Sequence, residues 1–201
     1  MTWIKTISAA SATGRLAKIY QRIAGPGGQI DNILASHSLR PHTLEGHMGL
    51  YKAVLHHPRN ANPKSLLETL GVITSHLNGC TYCVEHHFAG LKRLLDDDAR
   101  ADAIRAAIET DDFESALSGK ELAAAIYARK LTRDPANMAK TDIVALRDAG
   151  FDDGDILEFN QVVAYFAYAN RTVLGLGVNH ANEPLGLSPN DSDDPENWSH
   201  G

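Results

Sequence analysis

Apolar residues recur along most of this chain at intervals of three and four, the spacing of a helix with one buried face. No segment alternates convincingly between apolar and polar positions, and no Val/Ile/Thr-rich run lies between turn signals, so the pattern predicts an all-α fold. A first helix is expected over Ala12 to Ala24, stopped by Gly25-Pro26-Gly27-Gly28, and a short second one over Ile30 to Ser36. Pro41 suits the first turn of a third, with Leu44, Met48, Tyr51 and Leu55 as its stripe and an end near His57-Pro58. Asn62-Pro63 reads as an N-cap followed by a proline, opening a helix with Leu66, Leu70, Ile73 and Leu77 on one side. Asn78-Gly79 breaks it, and a new helix runs from about Cys80 to Leu95. Further helices are expected over Asp98 to Glu109, from the Ser118/Glu121 capping box to about Leu131, and over Met138 to Ala149. The longest and most apolar runs from Asp155 to about Gly177.

After His180 the chain turns to Asn, Asp, Pro and Ser with little to bury, which predicts an extended arm or disorder. The expected organisation is a helical N-terminal extension (1–37), a helical core (38–179) and this tail (180–201). Tyr51, Leu55, Lys64, Leu67 and Leu70 match Tyr127, Leu131, Lys140, Ile143 and Leu146 at a constant offset, which raises the question of an internal duplication of a helical unit.

Length and composition narrow the classes. With 201 residues, 43% of them hydrophobic, the chain suits one domain with a sizeable core. A net charge of −6 gives no electrostatic basis for a nucleic-acid partner. The longest uninterrupted apolar run, Val162 to Ala169, is far short of the roughly 20 residues of a membrane-spanning helix. The first twenty residues lack the apolar block of a secretory signal, so the expected compartment is the cytoplasm, where paired cysteines are more often reactive than structural.

The only two cysteines form Cys80-Thr81-Tyr82-Cys83, with His87 four residues after the second and Glu68 twelve before the first. Thiols at this spacing can pass between dithiol and disulfide without rearranging the fold, and a nearby imidazole and carboxylate can move the protons. On a helix Cys80, Cys83, His87 and Gly90 share a stripe beside the core stripe Val84, Phe88, Leu91 and Leu95. A place in the first turn favours Cys80 as the acidic thiol, because free N–H groups stabilise a thiolate there. A base one turn away favours Cys83 instead. Glu68 either faces the thiol helix, where it would orient His87, or faces water as part of a Ser65/Glu68 capping box. His86 lies about 100° from His87 around the helix and is expected to point elsewhere. His37, His42, His47, His56, His57 and His76 are read mostly as packing or surface residues.

The set Glu68-x11-Cys80-x-x-Cys83-x3-His87 resembles the signature of AhpD-like alkylhydroperoxidases, within the carboxymuconolactone decarboxylase superfamily. Ser38-Leu39-Arg40-Pro41, Leu50-Tyr51-Lys52-Ala53 and the Phe166 to Gly175 segment with Asn170-Arg171 are similar to its peroxidase-related branch. The resemblance implies an all-helical, homo-oligomeric peroxidase that reduces hydroperoxides. Cys83 would be the attacking thiolate, Cys80 the proton donor and resolving thiol, and His87 and Glu68 the proton relay. It implies no flavin, haem or other required cofactor, and an external dithiol reductant, a lipoyl-bearing protein being one candidate. Tyr82 departs from the best-studied members, which carry a histidine there; a phenol cannot replace an imidazole as a base near neutral pH. Two other readings of the same cysteines are a zinc-binding or redox-sensor protein and a non-catalytic member of the fold.

Overall fold

The computed structural model describes residues 2–181, 183–190, 192–194 and 197–199; positions 1, 182, 191, 195, 196, 200 and 201, most of them in the predicted tail, lie outside that description. Among the described residues there are nine α-helices and no strand. The helices are α1 (Gly14–Ile23), α2 (Asn32–Ser36), α3 (Pro41–Tyr51), α4 (Lys64–Leu77), α5 (Thr81–Leu95), α6 (Asp98–Glu109), α7 (Gly119–Arg133), α8 (Lys140–Asp148) and α9 (Asp153–Leu176). A π-helical turn, Lys52–His56, continues α3. No described helix is long and apolar enough to cross a membrane.

The fold is built around α4, which packs mainly against α5, α7 and α9. Every residue from Leu66 to Ser75 is buried, polar ones included, so α4 is enclosed on all sides rather than amphipathic. This burial decides between the two places open to Glu68. Its residue is 3% exposed, and the helix begins one residue after Pro63, so Ser65 and Glu68 form no cap. Gly71 is the closest approach to α9: a methyl group there would fall on the Phe166 ring.

Asn78 caps the end of α4, Gly79 turns the chain at φ +71°, and Cys80 is the N-cap of α5. The left-handed φ is what a glycine permits at little cost. The cysteine pair is thereby fixed at a tight corner, with Cys80 N–H donating to the Ser75 carbonyl at 2.9 Å. α9 opens on a reciprocal cap between Asp152 and Asp155 and ends at Gly177 (φ +61°), close to the predicted limits.

Two predicted caps are not made. Asn62 does not cap α4: its side chain donates to Glu158 at 2.7 Å and pins the loop to α9. Ser118 makes no capping bond, because Glu121 pairs with Arg100 at 2.7 Å instead.

The N-terminal extension and the C-terminal arm meet. Leu16, Ile19, Tyr20 and Ile23 of α1 pack with Leu34, Leu44, Met48 and Trp198 in one cluster. The Arg22 guanidinium lies 3.9 Å from the Trp198 ring centroid. Lys52, only 1% exposed, donates to Ser192 Oγ at 2.9 Å and to the Asp194 and Asn197 carbonyls at 2.6 Å. The arm has no helix in its described part, yet it does have something to bury, and that is Trp198.

Candidate active site

The corner before α5 holds both thiols inside the protein. Cys80 is 0% and Cys83 3% exposed, both are reduced, and their sulfurs are 3.0 Å apart. Only Cys83 lines the neighbouring cavity, which has a volume of about 180 Å³. Glu68 and His87 line the same space, with Glu68 Oε2 2.7 Å from His87 Nδ1. Three of the four residues singled out by the sequence thus line one cavity, and Cys80 is in contact with Cys83 behind it.

Electrostatics follow from that packing. Burial pushes the Glu68 carboxyl up, but the charge and hydrogen bond of His87, with His56 and Lys64 beyond, hold it below the usual carboxylate range. The thiol pair gives up its first proton more easily than a lone thiol and its second far less easily. Cys80 is pulled down by the hydrogen bond from the Cys83 thiol, against burial, with the Cys83 backbone N–H and the Asn170 amide assisting. Cys83 is pushed well up by its bond to Cys80, by burial and by the charge on that sulfur. Access and acidity therefore point to different sulfurs: Cys83 faces the cavity, while Cys80, at the helix start, is the first to ionise. One proton held between two sulfurs reconciles them. When Cys80 S–H donates to Cys83 S⁻, the anion is presented to the cavity.

Several neighbours were named in the sequence only as packing positions or as part of the family resemblance, not as site residues. Tyr51 stacks on Tyr165 (5.5 Å) and stands edge-on to both His56 (4.8 Å) and His87 (6.0 Å). Burial keeps both phenols protonated, their pKa values raised well above the ordinary tyrosine range. Phe166 packs edge-on to His87 at 4.5 Å. Asn170, 0% exposed, donates to Ser75 Oγ at 3.0 Å and accepts from Asn78 at 2.9 Å, holding the α4–α5 corner against α9. A fully buried Asn within the apolar α9 run was the signal available for it.

The reading of one histidine needs correcting. His86, expected to point away, is buried and lines the cavity, as do His47 and His56. The cavity extends around α5, so two residues 100° apart both reach it. Its far side is built by Ile33 and Leu34 of α2 and by the arm residues Gly186 to Pro189. Gly186, at φ +76°, crosses α5 beside Ala89 and Gly90 and accepts from Arg93. Nothing in the sequence pattern predicted that the arm would close this space. Among the described residues, no group of three or more His, Cys, Asp or Glu side chains is disposed to hold a metal ion.

The fold has known relatives. An AhpD-core, uncharacterized peroxidase-related protein from Ralstonia eutropha JMP134 superposes with a TM-score of 0.79 at 20% identity, over 90% of this chain and 93% of that one. An uncharacterized peroxidase-related protein from Silicibacter sp. TM1040 gives 0.77 at 21% identity, over 90% and 95%. The debrominase Bmp8 in its apo form gives 0.68 at 18% identity, over 90% and 91%. No family model matches the chain. No curated protein matches it by sequence. The class defined is therefore the AhpD-like helical fold. At these identities the likeness fixes the fold and not the reaction.

Proposed function

We propose that the protein is a thiol-dependent peroxidase that reduces hydroperoxides through a Cys80/Cys83 dithiol–disulfide cycle. One observation carries this reading: two reduced sulfurs lie 3.0 Å apart, with one of them in the wall of a cavity that also holds the Glu68–His87 pair. Cys83 attacks the terminal peroxide oxygen and becomes a sulfenic acid. Cys80 then attacks Cys83 Sγ, the disulfide forms, and hydroxide leaves as water. Glu68 accepts the hydrogen bond from His87 Nδ1–H and so fixes the tautomer, which leaves Nε2 as the nitrogen that exchanges protons. Tyr82 takes no part as a base. Its hydroxyl accepts from Ile33 N–H at 3.2 Å, and burial holds the phenol in its neutral form.

Turnover requires an external dithiol to reopen the disulfide, and a lipoyl-type dithiol has the right chemistry. No flavin, haem or metal is needed for the electron count, since two thiols supply both electrons. The reading places the protein in the cytoplasm as a homo-oligomer without a nucleic-acid partner.

The test is hydroperoxide consumption driven by dihydrolipoamide or another dithiol, with the Cys80→Ser/Cys83→Ser double variant as blank. Consumption well above the blank supports the reading; consumption equal to it refutes it. Zinc analysis of freshly purified protein tests the rival use of these thiols, for which about one tightly held zinc per chain would be required.

A further inference from the structure

Beside the cavity lies a second carboxylate–imidazole pair: His86 lines the space, and its partner comes from the arm. Glu183 Oε1 lies 3.2 Å from His86 Nε2, and Glu183 Oε2 accepts from Asn32 N–H at 2.6 Å. The side chains are 9% and 3% exposed. The Tyr82 hydroxyl also bonds to Glu183, and the Tyr82 ring lies over His86 with centroids 4.5 Å apart. The Glu183 carboxylate therefore gathers donors from α2 and α5, and it holds the imidazole of His86 by one nitrogen. His86 and Cys83 both line the cavity. The two imidazoles are held in different ways: His87 by its Nδ1 to a core helix, His86 by its Nε2 to the arm.

Peroxide cleavage by a thiolate leaves an alkoxide, a strongly basic leaving group that needs a proton as the O–O bond breaks. The Glu68–His87 relay serves the thiol protons, and His86 is a further imidazole in the wall of the same cavity. We propose that His86, positioned by Glu183, is the general acid that protonates the departing alkoxide, in the peroxidase reaction inferred above and resting on that reading. Cys83 Sγ gives an electron pair to the terminal oxygen, the O–O bond breaks, and RO⁻ takes a proton from His86 to leave as ROH. Cys80 Sγ then forms the S–S bond as the Cys83 S–O bond breaks and hydroxide departs. Of the two thiol protons, one completes the water and the other restores His86. Two thiols are oxidised, one peroxide is reduced, and the external dithiol closes the cycle. Glu183 is a positioning residue; it touches no reacting atom.

A general acid is revealed by its dependence on the leaving group. Single-turnover oxidation of reduced wild type, His86→Gln and Glu183→Gln is followed with tert-butyl hydroperoxide, whose alkoxide needs the proton, and with peracetic acid, whose carboxylate does not. His86→Gln should lose on the order of 100-fold with the alkyl hydroperoxide and at least about tenfold less with the peracid. Glu183→Gln should show the same selectivity, more weakly. Equal losses with both oxidants, or no loss with either, would overturn the proposal while leaving the peroxidase reading intact. A wild type that reacts with neither oxidant would overturn both. Should His86→Gln fail to fold, the Glu183 variant, altered only in the arm, decides the matter by the same ratio.

Discussion

Glu68 Oε2 and His87 Nδ1 are 2.7 Å apart, although they belong to different helices and are nineteen residues apart in the chain. The contact exists because α4 is enclosed on every side, so its one carboxylate must find a donor inside the protein. In the proposed cycle it leaves Nε2 as the nitrogen of His87 that exchanges protons.

Removing the charge at Glu68 tests that relay. Glu68→Gln should slow the reaction of the thiols with peroxide by roughly 10- to 100-fold, with the fold retained. Stopped-flow kinetics with a circular-dichroism control measure it, and an unchanged rate would remove Glu68 from the mechanism.

The same residue makes stability depend on acid. The Glu68 carboxyl is held below its ordinary value in the folded state, so its contribution is fully present above the unfolded pKa. It is lost as pH falls through the folded one. Denaturant titrations from pH 7 to pH 3 should show a smaller loss of stability for Glu68→Gln than for wild type.

His47 adds to this acid sensitivity. Burial, with the His37 charge nearby, lowers its pKa to about 3 from an ordinary 6.5, so below pH 6.5 the unfolded chain takes up a proton that the folded protein refuses. Stability falls as pH drops through that window, by about 2 kcal/mol between pH 6.5 and pH 5. His47→Gln should flatten that part of the profile, whatever it does to stability at pH 8.

Gly71 is the contact between the core and the site. A methyl group there would meet Phe166, whose ring also packs against His87. Gly71→Ala should cost about 1–3 kcal/mol by overpacking and should lower the peroxide rate as well. Thermal melts and the same stopped-flow assay report the two effects.

Lys52 anchors the arm. Lys52→Met would take this donor from the Ser192 hydroxyl and from the Asp194 and Asn197 carbonyls, at about 1–3 kcal/mol in total. Trp198 should become exposed, which a red shift in tryptophan emission would show. Trp3, at 79% exposure, contributes only a solvent-exposed background.

The helices were legible because their apolar stripes and the breaks at Asn78-Gly79, Gly150 and Gly177 are local signals. Cys80, Cys83, Glu68 and His87 were legible as a set by spacing, though only the enclosure of α4 put Glu68 beside His87. The caps at Asn62 and Ser118 were misread because distant partners, Glu158 for Asn62 and Arg100 for the Glu121 of the expected box, won over the local bond. His86 was misread because helix periodicity gives its direction but not what packs there. Glu183 lies in a polar segment without a pattern, and its partners on Asn32 and His86 are 151 and 97 residues away.

Which sulfur meets the peroxide is the most direct test. Reduced protein is given one equivalent of hydroperoxide, trapped with a sulfenic-acid reagent and mapped by peptide mass spectrometry. Wild type should lose both thiols to a Cys80–Cys83 disulfide, Cys80→Ser should carry the trapped sulfenic acid on Cys83, and Cys83→Ser should leave the peroxide unconsumed. Sulfenic acid on Cys80 in the Cys83→Ser protein, formed at the wild-type rate, would contradict the account.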